Sequence, residues 1–477
     1  IIIGFNDSCA FGFTNAERDV RDYYEIQFKD EGMKEYWFNG QWKESTFRYD
    51  TFKIKGNPNF IDTVAYTVFG PVMYDKKFTG GRTSGKKYYA VRWKAHDASN
   101  DLKTFNRLNH AKNYNDYYEA IKNLHTPGQN CIFACKNGDI AIWDQGEFPA
   151  KWKRQGDFVM PGTDSSYEWQ RTIPQAENPH MMNPERGFVS SANQFPADPS
   201  VYPYYLGGYF PMYRGLTINR RLAAMNNITT DSMEMLQTNN YNSFAAMAVP
   251  LLLKNISRDS LDNNEKDYYD TLKKWNFNND VNESGATVFV LTWGNFEHIV
   301  WDDELSKCKE PTTPPESESL LESILKDSAY KFLDDINTPQ KETLQDDILA
   351  AFRKTTLTLK NLEVAKKLSW EMYKDTRINH LAKLAPFSKL HLNIGGGTNC
   401  INAANSDHGP SWRMIVELTD TTNAYGIYPG GQSGNPGSRY YDNFVDDWAA
   451  GKYFKLWVMN KNDINDFRIK YKITFGK

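Results

Sequence analysis

Short runs of apolar residues, broken by turn residues, fill the first 150 positions of the chain. They include "DTVAYTVFGPVMYD", "KKYYAVRWKAHD" and "CIFACKNGDIAIWDQGEFP". In the last of these runs, "KNGD" lies between two apolar segments and predicts a β-hairpin. One stretch, from about residue 105 to 125, has the spacing of a helix instead. The first part of the chain is therefore expected to be rich in β-structure.

The middle of the chain changes from loop-like to helical. Residues from about 150 to 215 are rich in Pro, Gly and Asn, which predicts loops that lie over a scaffold and carry functional groups. From about 217 to 275 the pattern is helical, and the "TTD" that opens "TTDSMEMLQ" is a typical N-cap sequence. The apolar stretch "ESGATVFVLTW" indicates a strand or a buried segment.

A Pro-rich polar segment, "CKEPTTPPESES", is the clearest break in the pattern. After it, residues 319–385 predict two or three amphipathic helices, and β-like runs resume from 389 to 477. We therefore expect an α+β fold in which a mainly helical insertion interrupts a sheet core. The predicted parts are 1–215 (part of the sheet core with a β-rich and loop extension), 216–385 (the helical insertion) and 386–477 (a β part that returns to the core).

Composition and charge exclude two classes of function. Hydrophobic residues make up 40% of the 477 residues and charged residues 24%, the balance of an ordinary globular protein. The net charge of -3 leaves no basic surplus to neutralise phosphates, so nucleic-acid binding is not expected. The longest apolar runs, such as "FAAMAVPLLL", have about half the length of a membrane-spanning helix, so no membrane span is expected.

Cysteine and histidine do not form a recognisable catalytic or metal motif. The five Cys lack metal-type spacing, and a strand over "CIFAC" would hold Cys131 and Cys135 roughly 13 Å apart, too far for a disulfide. The eight His are scattered singly, with no HxxxH or HExxH spacing. "GGQSGNPGS", around Ser433, predicts a turn and not the nucleophile elbow of a Ser-His-Asp hydrolase.

Four longer blocks, taken in their order and separation, carry a family resemblance. They are "IIGFNDSCAFGFTNAERDVRDYY", "GFVSSANQFPADPSVYPYYLGGYFPMYRGLTINRRL", "GGGTNCINAANSDHGPSWRMIVEL" and "GIYPGGQSGNPGSRYYDNFVDDWAAGKYFKLWV". Together they resemble the penicillin acylase family of N-terminal nucleophile hydrolases, over nearly the whole chain. The resemblance implies an αββα sandwich, with the β-rich extension and the helical insertion added to it. It also implies that the chain corresponds to the larger, nucleophile-bearing subunit.

The resemblance suggests what precedes "IIIGFNDSCAFGFTN". In the family, a precursor cuts itself so that a Ser becomes the N-terminus of the large subunit, and the matching block follows that Ser by several dozen residues. We therefore expect the nucleophile to lie upstream of this chain. The expected partner is a small α-subunit from the same precursor, and export to the periplasm or the medium is expected from the resemblance alone.

Three residues match the family's oxyanion site. A terminal Ser can use its own α-amine as a base, because that amine has a pKa near ~8, and the negative oxygen formed on attack then needs fixed donors. By motif position, the side-chain donor falls on Asn193 in "SSANQFP" and the backbone donor on Asn15 in "FGFTNAE". Arg214 in "PMYRGL" matches a family Arg that would orient the Asn or the substrate, and an ordinary surface Arg is the alternative interpretation.

A second signal concerns calcium. Asp19 and Asp22, with the backbone carbonyl of Arg21 between them, match the family's calcium-binding stretch, and carboxylate and carbonyl oxygens are the ligands that Ca²⁺ prefers. A third family ligand, an acidic residue near "YPYY", has no counterpart here. The resemblance thus implies a structural calcium ion, and a solvated turn is the alternative interpretation of the two Asp.

The resemblance implies an amide hydrolase that cleaves a linear N-acyl bond of a small molecule. Acyl-homoserine lactones, penicillins with an acyl side chain and N-acyl amino acids are the substrate classes considered. The alternative is a catalytically inactive, acylase-like binding or scaffold subunit that has kept the fold without the Ser. The residues upstream of Ile1 distinguish the two, because a Gly-Ser-Asn junction there supports the enzyme.

Overall fold

The computed structural model describes residues 1–76, 78, 87–308, 312–459 and 463–476. Most strands of these residues come before most of the helices, as expected for an α+β protein. The strands are β1 (Gly4–Phe5), β2 (Cys9–Asn15), β3 (Arg21–Ile26), β4 (Glu35–Phe38), β5 (Gln41–Glu44), β6 (Thr46–Phe52), β7 (Phe60–Thr67), β8 (Gly70–Tyr74), β9 (Tyr88–Trp93), β10 (Gln129–Cys135), β11 (Ile140–Gln145), β12 (Pro149–Ala150), β13 (Met160–Pro161), β14 (Arg171–Thr172), β15 (His180–Met182), β16 (Arg413–Glu417), β17 (Asn423–Ile427) and β18 (Phe454–Leu456).

The α-helices lie mostly in the second half of the chain. They are α1 (Leu102–Leu108), α2 (Tyr114–Ile121), α3 (Tyr213–Ala224), α4 (Thr230–Gln237), α5 (Ser243–Asn255), α6 (Asn263–Lys274), α7 (Gly285–Leu305), α8 (Ser317–Lys326), α9 (Leu344–Val364), α10 (Trp370–Lys374) and α11 (Val445–Ala449). Short 3-10 helices lie at Lys94–His96, Ser165–Tyr167, Gln175–Glu177, Arg258–Ser260, Lys331–Leu333 and Ala385–Phe387. Within the described ranges, no helix is long and apolar enough to cross a membrane.

The sheet that carries the site has the strand order β1-β2-β10-β11-β15, and its neighbouring strands are antiparallel. β10 and β11 form the hairpin that "KNGD" predicts. Gly138 supplies the positive φ of 95° in this turn, and the Cys135 N–H donates to the Asp139 carbonyl at 3.0 Å. Cys131 and Cys135 are both free, so no disulfide joins them, in agreement with their predicted separation.

One face of this sheet is covered by α1 and α2. Phe11 on β2 and Phe133 on β10 point into an apolar cluster with Leu108 and Tyr117. The predicted helix of residues 105–125 is in fact these two helices, because Asn113 adopts an extended conformation and caps α2 through its side chain.

The opposite face of the sheet borders a cavity of about 490 Å³. Gly12 and Ile132 lie on its sheet side, and Leu236 of α4 and Met414 of β16 lie across it. Because side chains alternate along a strand, Arg413 points to the other face of β16, where it donates to the carbonyl of Trp448 in α11 at 2.9 Å. The cavity thus lies between the first sheet and a layer that contains both α4 and β16.

A six-stranded sheet of order β13-β3-β9-β8-β7-β6 forms the β-rich extension. Tyr24, Phe69 and Ala90 are buried on it, and the rings of Tyr24 and Phe69 stack at 4.0 Å. The short connection from β2 to β3 joins this sheet to the first one. That connection, residues 16–20, is important because Asn15 lies at one end of it and the two predicted calcium ligands at the other.

Helices α3 and α5 to α10 share a large apolar cluster that extends from Tyr213 to Trp370. "ESGATVFVLTW" lies in this cluster as the start of α7, so the strand interpretation is wrong and the buried one is correct. An unbroken apolar run suits a helix packed on all sides as well as a strand, and here contact with α6 and α9 overrides the β-propensity of Thr and Val. The division into 1–215, 216–385 and 386–477 stays a prediction.

Two sequence signals in the helical and loop regions are confirmed. Thr229 caps α4 in a capping box with Ser232, as the "TTD" sequence predicts. Of the loop predicted from about residue 150 to 215, residues 183–212, between β15 and α3, form no helix or strand, whereas 151–182 contain the short strands β13, β14 and β15. This loop returns over the first sheet and carries Asn193.

Candidate active site

Asn193 lies at the centre of the candidate site. Its backbone has a φ of 65°, in the left-handed region that Asn tolerates better than most residues. Its side-chain Oδ1 accepts a hydrogen bond from Arg214 Nη2 at 2.9 Å, and its Nδ2 donates to the Asn15 carbonyl at 2.8 Å. The structure thus brings together the three residues that the sequence singles out.

These two contacts fix the orientation of the Asn193 amide. A guanidinium can only donate, so the amide oxygen must face Arg214, and a carbonyl can only accept, so the NH₂ group must face Asn15. One of the two Nδ2 hydrogens is used in the bond to Asn15. The second is left to donate to another acceptor.

Arg214 is held in place by the first turn of α3. It is the second residue of α3, next to Tyr213, whose ring is buried in the helical cluster and whose carbonyl accepts from Ser243 Oγ at 2.7 Å. Burial lowers the pKa of Arg214, and the carboxylates of Glu17 and Glu318 oppose that shift. The guanidinium keeps its charge at physiological pH, because an Arg pKa starts far above 7.

Gly215 lets the Asn193 loop pack closely on α3. A Cβ at this position would lie 3.1 Å from Gln194 Oε1, which accepts a hydrogen bond from the Ala192 N–H at 2.7 Å. The loop on both sides of Asn193 is therefore tied to the helix that carries Arg214.

Asn15 contributes its backbone. The Ala16 N–H donates to the Gly128 carbonyl at 3.1 Å, so the next pair along the ladder, Asn15 with Gln129, is a non-hydrogen-bonded pair. The N–H and C=O of Asn15 therefore both leave β2 on the side away from β10. Because Asn193 Nδ2 is bonded to that C=O, the Asn15 N–H and the Asn193 amide are donors at the same edge of the sheet.

Hydrogen bonds from neighbouring residues support this edge. Asn130 Nδ2 lies 3.1 Å from the Asn15 carbonyl and 3.2 Å from Thr14 Oγ1, and Thr14 Oγ1 lies 2.5 Å from Ser191 Oγ. Asn130 is buried. The one sequence signal for Asn130 is a polar residue directly before the apolar run "CIFAC", and no motif of the family blocks includes it.

Arg18, which follows Asn15 closely in the sequence, forms a buried ion pair with Asp144. Arg18 Nη1 lies 2.7 Å from Asp144 Oδ2, and the guanidinium lies 4.1 Å from the centre of the Phe148 ring. Burial raises the pKa of Asp144 to about 6, and Arg18 opposes that rise. The pair ties the segment that follows Asn15 to β11, and no spacing in the sequence indicates it.

The predicted calcium ligands lie near one another but not around an open space. Asp19 Oδ2 and Asp22 Oδ1 each lie 2.8 Å from Lys151 Nζ, so an ammonium group fills the position between them. Arg21 begins β3 opposite Trp93. The described part of the chain contains no group of three or more His, Cys, Asp or Glu arranged to hold a metal ion. The residues present therefore do not fit calcium.

Comparison with known proteins decides the family. The sequence model of the penicillin amidase family matches residues 1–465. The chain belongs to the penicillin amidase family. The family predicted from the four sequence blocks is thereby confirmed.

Relatives in this family are acylases. The chain is 23% identical over 503 residues to the acyl-homoserine lactone acylase QuiP of Pseudomonas syringae pv. tomato, which covers 97% of this chain and 60% of that protein. It is 24% identical over 296 residues to the penicillin G acylase of Escherichia coli, covering 60% of this chain and 34% of that protein. The chain thus spans about three fifths of the length of the first of these relatives.

A solved structure shows the same fold. The thermostable penicillin G acylase of Alcaligenes faecalis superposes with a TM-score of 0.72 at 14% identity, covering 100% of this chain and 90% of that one. The match confirms the predicted α+β fold of an N-terminal nucleophile hydrolase.

Proposed function

We propose that this chain is part of an amide hydrolase that cleaves a linear N-acyl amide bond and releases a carboxylic acid and an amine. The observation that carries the proposal is the chain of contacts from Arg214 through Asn193 to Asn15. It holds a side-chain N–H and a backbone N–H at one sheet edge, and two such donors are what a tetrahedral oxyanion requires.

The proposed nucleophile is an N-terminal Ser outside residues 1–477. Its hydroxyl would attack the amide carbonyl carbon while its own α-amine takes the hydroxyl proton, so no His is needed. The carbonyl oxygen would gain its negative charge between Asn193 Nδ2 and the Asn15 N–H. The amine would leave with a proton, and water would release the acid from the ester. Arg214 positions the Asn193 amide and does not itself touch the reacting atoms.

N-acyl homoserine lactones are the substrate class that we propose to test first. Support comes from the acyl-homoserine lactone acylases, which match 97% of the chain, whereas the penicillin G acylase of E. coli matches 60%. Penicillin G and an N-acyl amino acid are the comparison substrates. A small subunit from the same precursor, and export from the cytoplasm, stay predictions from the family resemblance.

Two measurements on the full-length protein test the proposal. N-terminal sequencing of the mature large chain should find Ser as its first residue. Amine release from an N-acyl homoserine lactone, followed with a fluorogenic amine reagent, should then occur and should stop when that Ser is replaced by Ala. A folded protein that binds acyl compounds but releases no amine from any of the three substrates would favour the scaffold alternative.

A further inference from the structure

We propose that the ammonium group of Lys151 takes the place of a divalent cation in this chain, so that the β2–β3 connection is held without a bound metal ion. The proposal concerns the architecture around Asp19 and Asp22. It does not depend on the proposed function, and its tests measure metal binding and stability.

The first argument is the position of the ammonium. Lys151 Nζ lies 2.8 Å from Asp19 Oδ2 and 2.8 Å from Asp22 Oδ1, and the Lys151 side chain is 2% exposed. Calcium binds oxygens at 2.3–2.6 Å and needs six to eight of them. An ion bonded to both carboxylates would occupy the volume of the ammonium, so the two cannot be present together.

The second argument is that Asp22 depends on this ammonium. Its carboxylate is fully buried, with 0% exposure, and accepts one further hydrogen bond, from Trp169 Nε1 at 2.5 Å. The Lys151 ammonium also lies 5.6 Å from the centre of the Trp169 ring, within the range of a cation–π contact. A buried carboxylate without a cation partner is strongly unfavourable. Lys151 therefore supplies the charge that a metal would otherwise supply.

The third argument is that the backbone is shaped around the carboxylate. Lys151 directly follows β12, and the loop after it returns to Asp22 at Gly156, whose φ is 90°. A Cβ at position 156 would lie 1.9 Å from Asp22 Oδ1, so only Gly allows this approach. Lys151, Gly156 and Trp169 thus enclose Asp22 on several sides, and the enclosure is complete without an ion.

The consequence is a metal-independent support near the candidate site. Asp19 and Asp22 follow Asn15 by four and seven residues, and Lys151 fixes both to the loop after β12. Lys151 is therefore a positioning residue for the end of β2. Neither removal of calcium by a chelator nor addition of calcium should change the stability of the native protein.

The first test needs no substitution. Purified full-length protein should contain less than one equivalent of calcium by elemental analysis, and its Tm should be the same with calcium chloride as with EDTA. Excess calcium should also leave the Tm unchanged. A ligand that bound only to the native state would raise the Tm. A Tm that falls on chelation, or one equivalent of bound calcium at this site, would overturn the proposal.

The second test removes the ammonium. Lys151→Ala leaves two carboxylates facing one gap, so its Tm in EDTA should be several degrees below that of the wild type, and calcium should recover part of the loss. Terbium, which replaces calcium, should luminesce on Trp excitation in this variant through Trp169 and not in the wild type. If Lys151→Ala does not fold, Lys151→Met, which keeps the side-chain volume, serves for the same measurement.

A matched control is available in Lys94. Its Nζ also lies between two carboxylates, 2.7 Å from Asp97 Oδ2 and 2.7 Å from Glu147 Oε2, but both acids are partly exposed. Lys94→Ala should lose stability without gaining a response to calcium. Equal calcium responses in the Lys94 and Lys151 variants would show general charge screening and would contradict a specific exchange of ammonium for metal.

Discussion

Arg214 holds the side-chain amide of Asn193 by its oxygen, at 2.9 Å, and thereby turns the nitrogen of the same amide toward the end of β2. A free Asn side chain could rotate its amide by half a turn and present oxygen to the same place. In the proposed reaction an oxygen there would repel the developing oxyanion, so the orientation of this amide would decide whether the site favours that reaction or opposes it.

Replacement of Asn193 by Ala should lower kcat by roughly 10²–10³, because one of the two proposed oxyanion donors is lost. KM should change much less, since the bond strengthens only as charge develops on the oxygen. Amine release by the processed full-length enzyme is the measurement. Asn227→Ala is the control, because Asn227 also has a left-handed backbone, with a φ of 51°, but lies on an exposed loop between α3 and α4. Equal kcat values for the two variants would remove Asn193 from the site.

Arg214→Gln should lower kcat by about tenfold or more while KM changes little, because the Asn193 amide loses the contact that orients it. The effect should vanish in the absence of Asn193. Since Arg214 acts through that side chain, the double variant should be no slower than Asn193→Ala alone. Additive losses in kcat would mean instead that Arg214 contacts the substrate directly.

Gly156→Ala and Gly138→Ala separate steric conflict from backbone strain. Both positions have a positive φ, 90° and 95°, so each substitution should cost about 1 kcal/mol of conformational strain. A Cβ at 138 meets no atom within 4 Å, whereas a Cβ at 156 would lie 1.9 Å from Asp22 Oδ1. Gly156→Ala should therefore cost roughly 3 kcal/mol or more in total. Denaturant unfolding of the two full-length variants measures the difference, and equal losses would contradict the close approach.

The helical part should become less stable as the pH rises toward neutrality. Asp347 is 3% exposed, and burial with the neighbouring carboxylates of Glu342 and Asp346 raises its pKa from 3.8 to about 7. Burial and the adjacent Asp303 likewise raise the pKa of Glu304 from 4.5 to about 7. The folded state therefore binds more protons than the unfolded state between about pH 4 and 7, so the free energy of unfolding falls as the pH rises through that window.

Asp347→Asn should flatten this dependence, because the Asn side chain carries no charge at any pH. Asp346→Asn is an informative control, since hydrogen bonds from Thr343 lower the pKa of Asp346. Its contribution to stability has the opposite sign, present at neutral pH and lost as the pH falls below its ordinary value. Thermal melts of the full-length variants over pH 4–8 would check both, and identical slopes for wild type and Asp347→Asn would contradict the first.

Local signals in the sequence predicted the parts of the structure that depend on neighbouring residues. The "KNGD" turn, the Thr229 cap and the absence of a bridge between Cys131 and Cys135 each follow from the geometry of a few consecutive positions. The family blocks added Asn193, Arg214 and Asn15, because the spacing of a whole motif carries information that one Asn in a loop does not.

Contacts between distant parts of the chain could not be predicted in this way. Lys151 meets Asp22 across 129 positions, and Asn130 meets Thr14 across 116. A lysine after a short strand has the composition of a solvated surface, and only the fold shows that its charge is enclosed. The sequence did not identify α7 as a helix for a related reason. Burial on all sides removes the alternation of apolar and polar residues that distinguishes a helix from a strand.

The backbone origin of one donor has a consequence for mutational scanning. Any residue except proline keeps an N–H at position 15, and the Asn15 side chain is exposed. A comprehensive substitution library should therefore tolerate nearly every amino acid at position 15 and very few at 193. If functional importance were inferred from this tolerance alone, the whole proposed oxyanion site would be assigned to Asn193, and the backbone donor at the end of β2 would be overlooked.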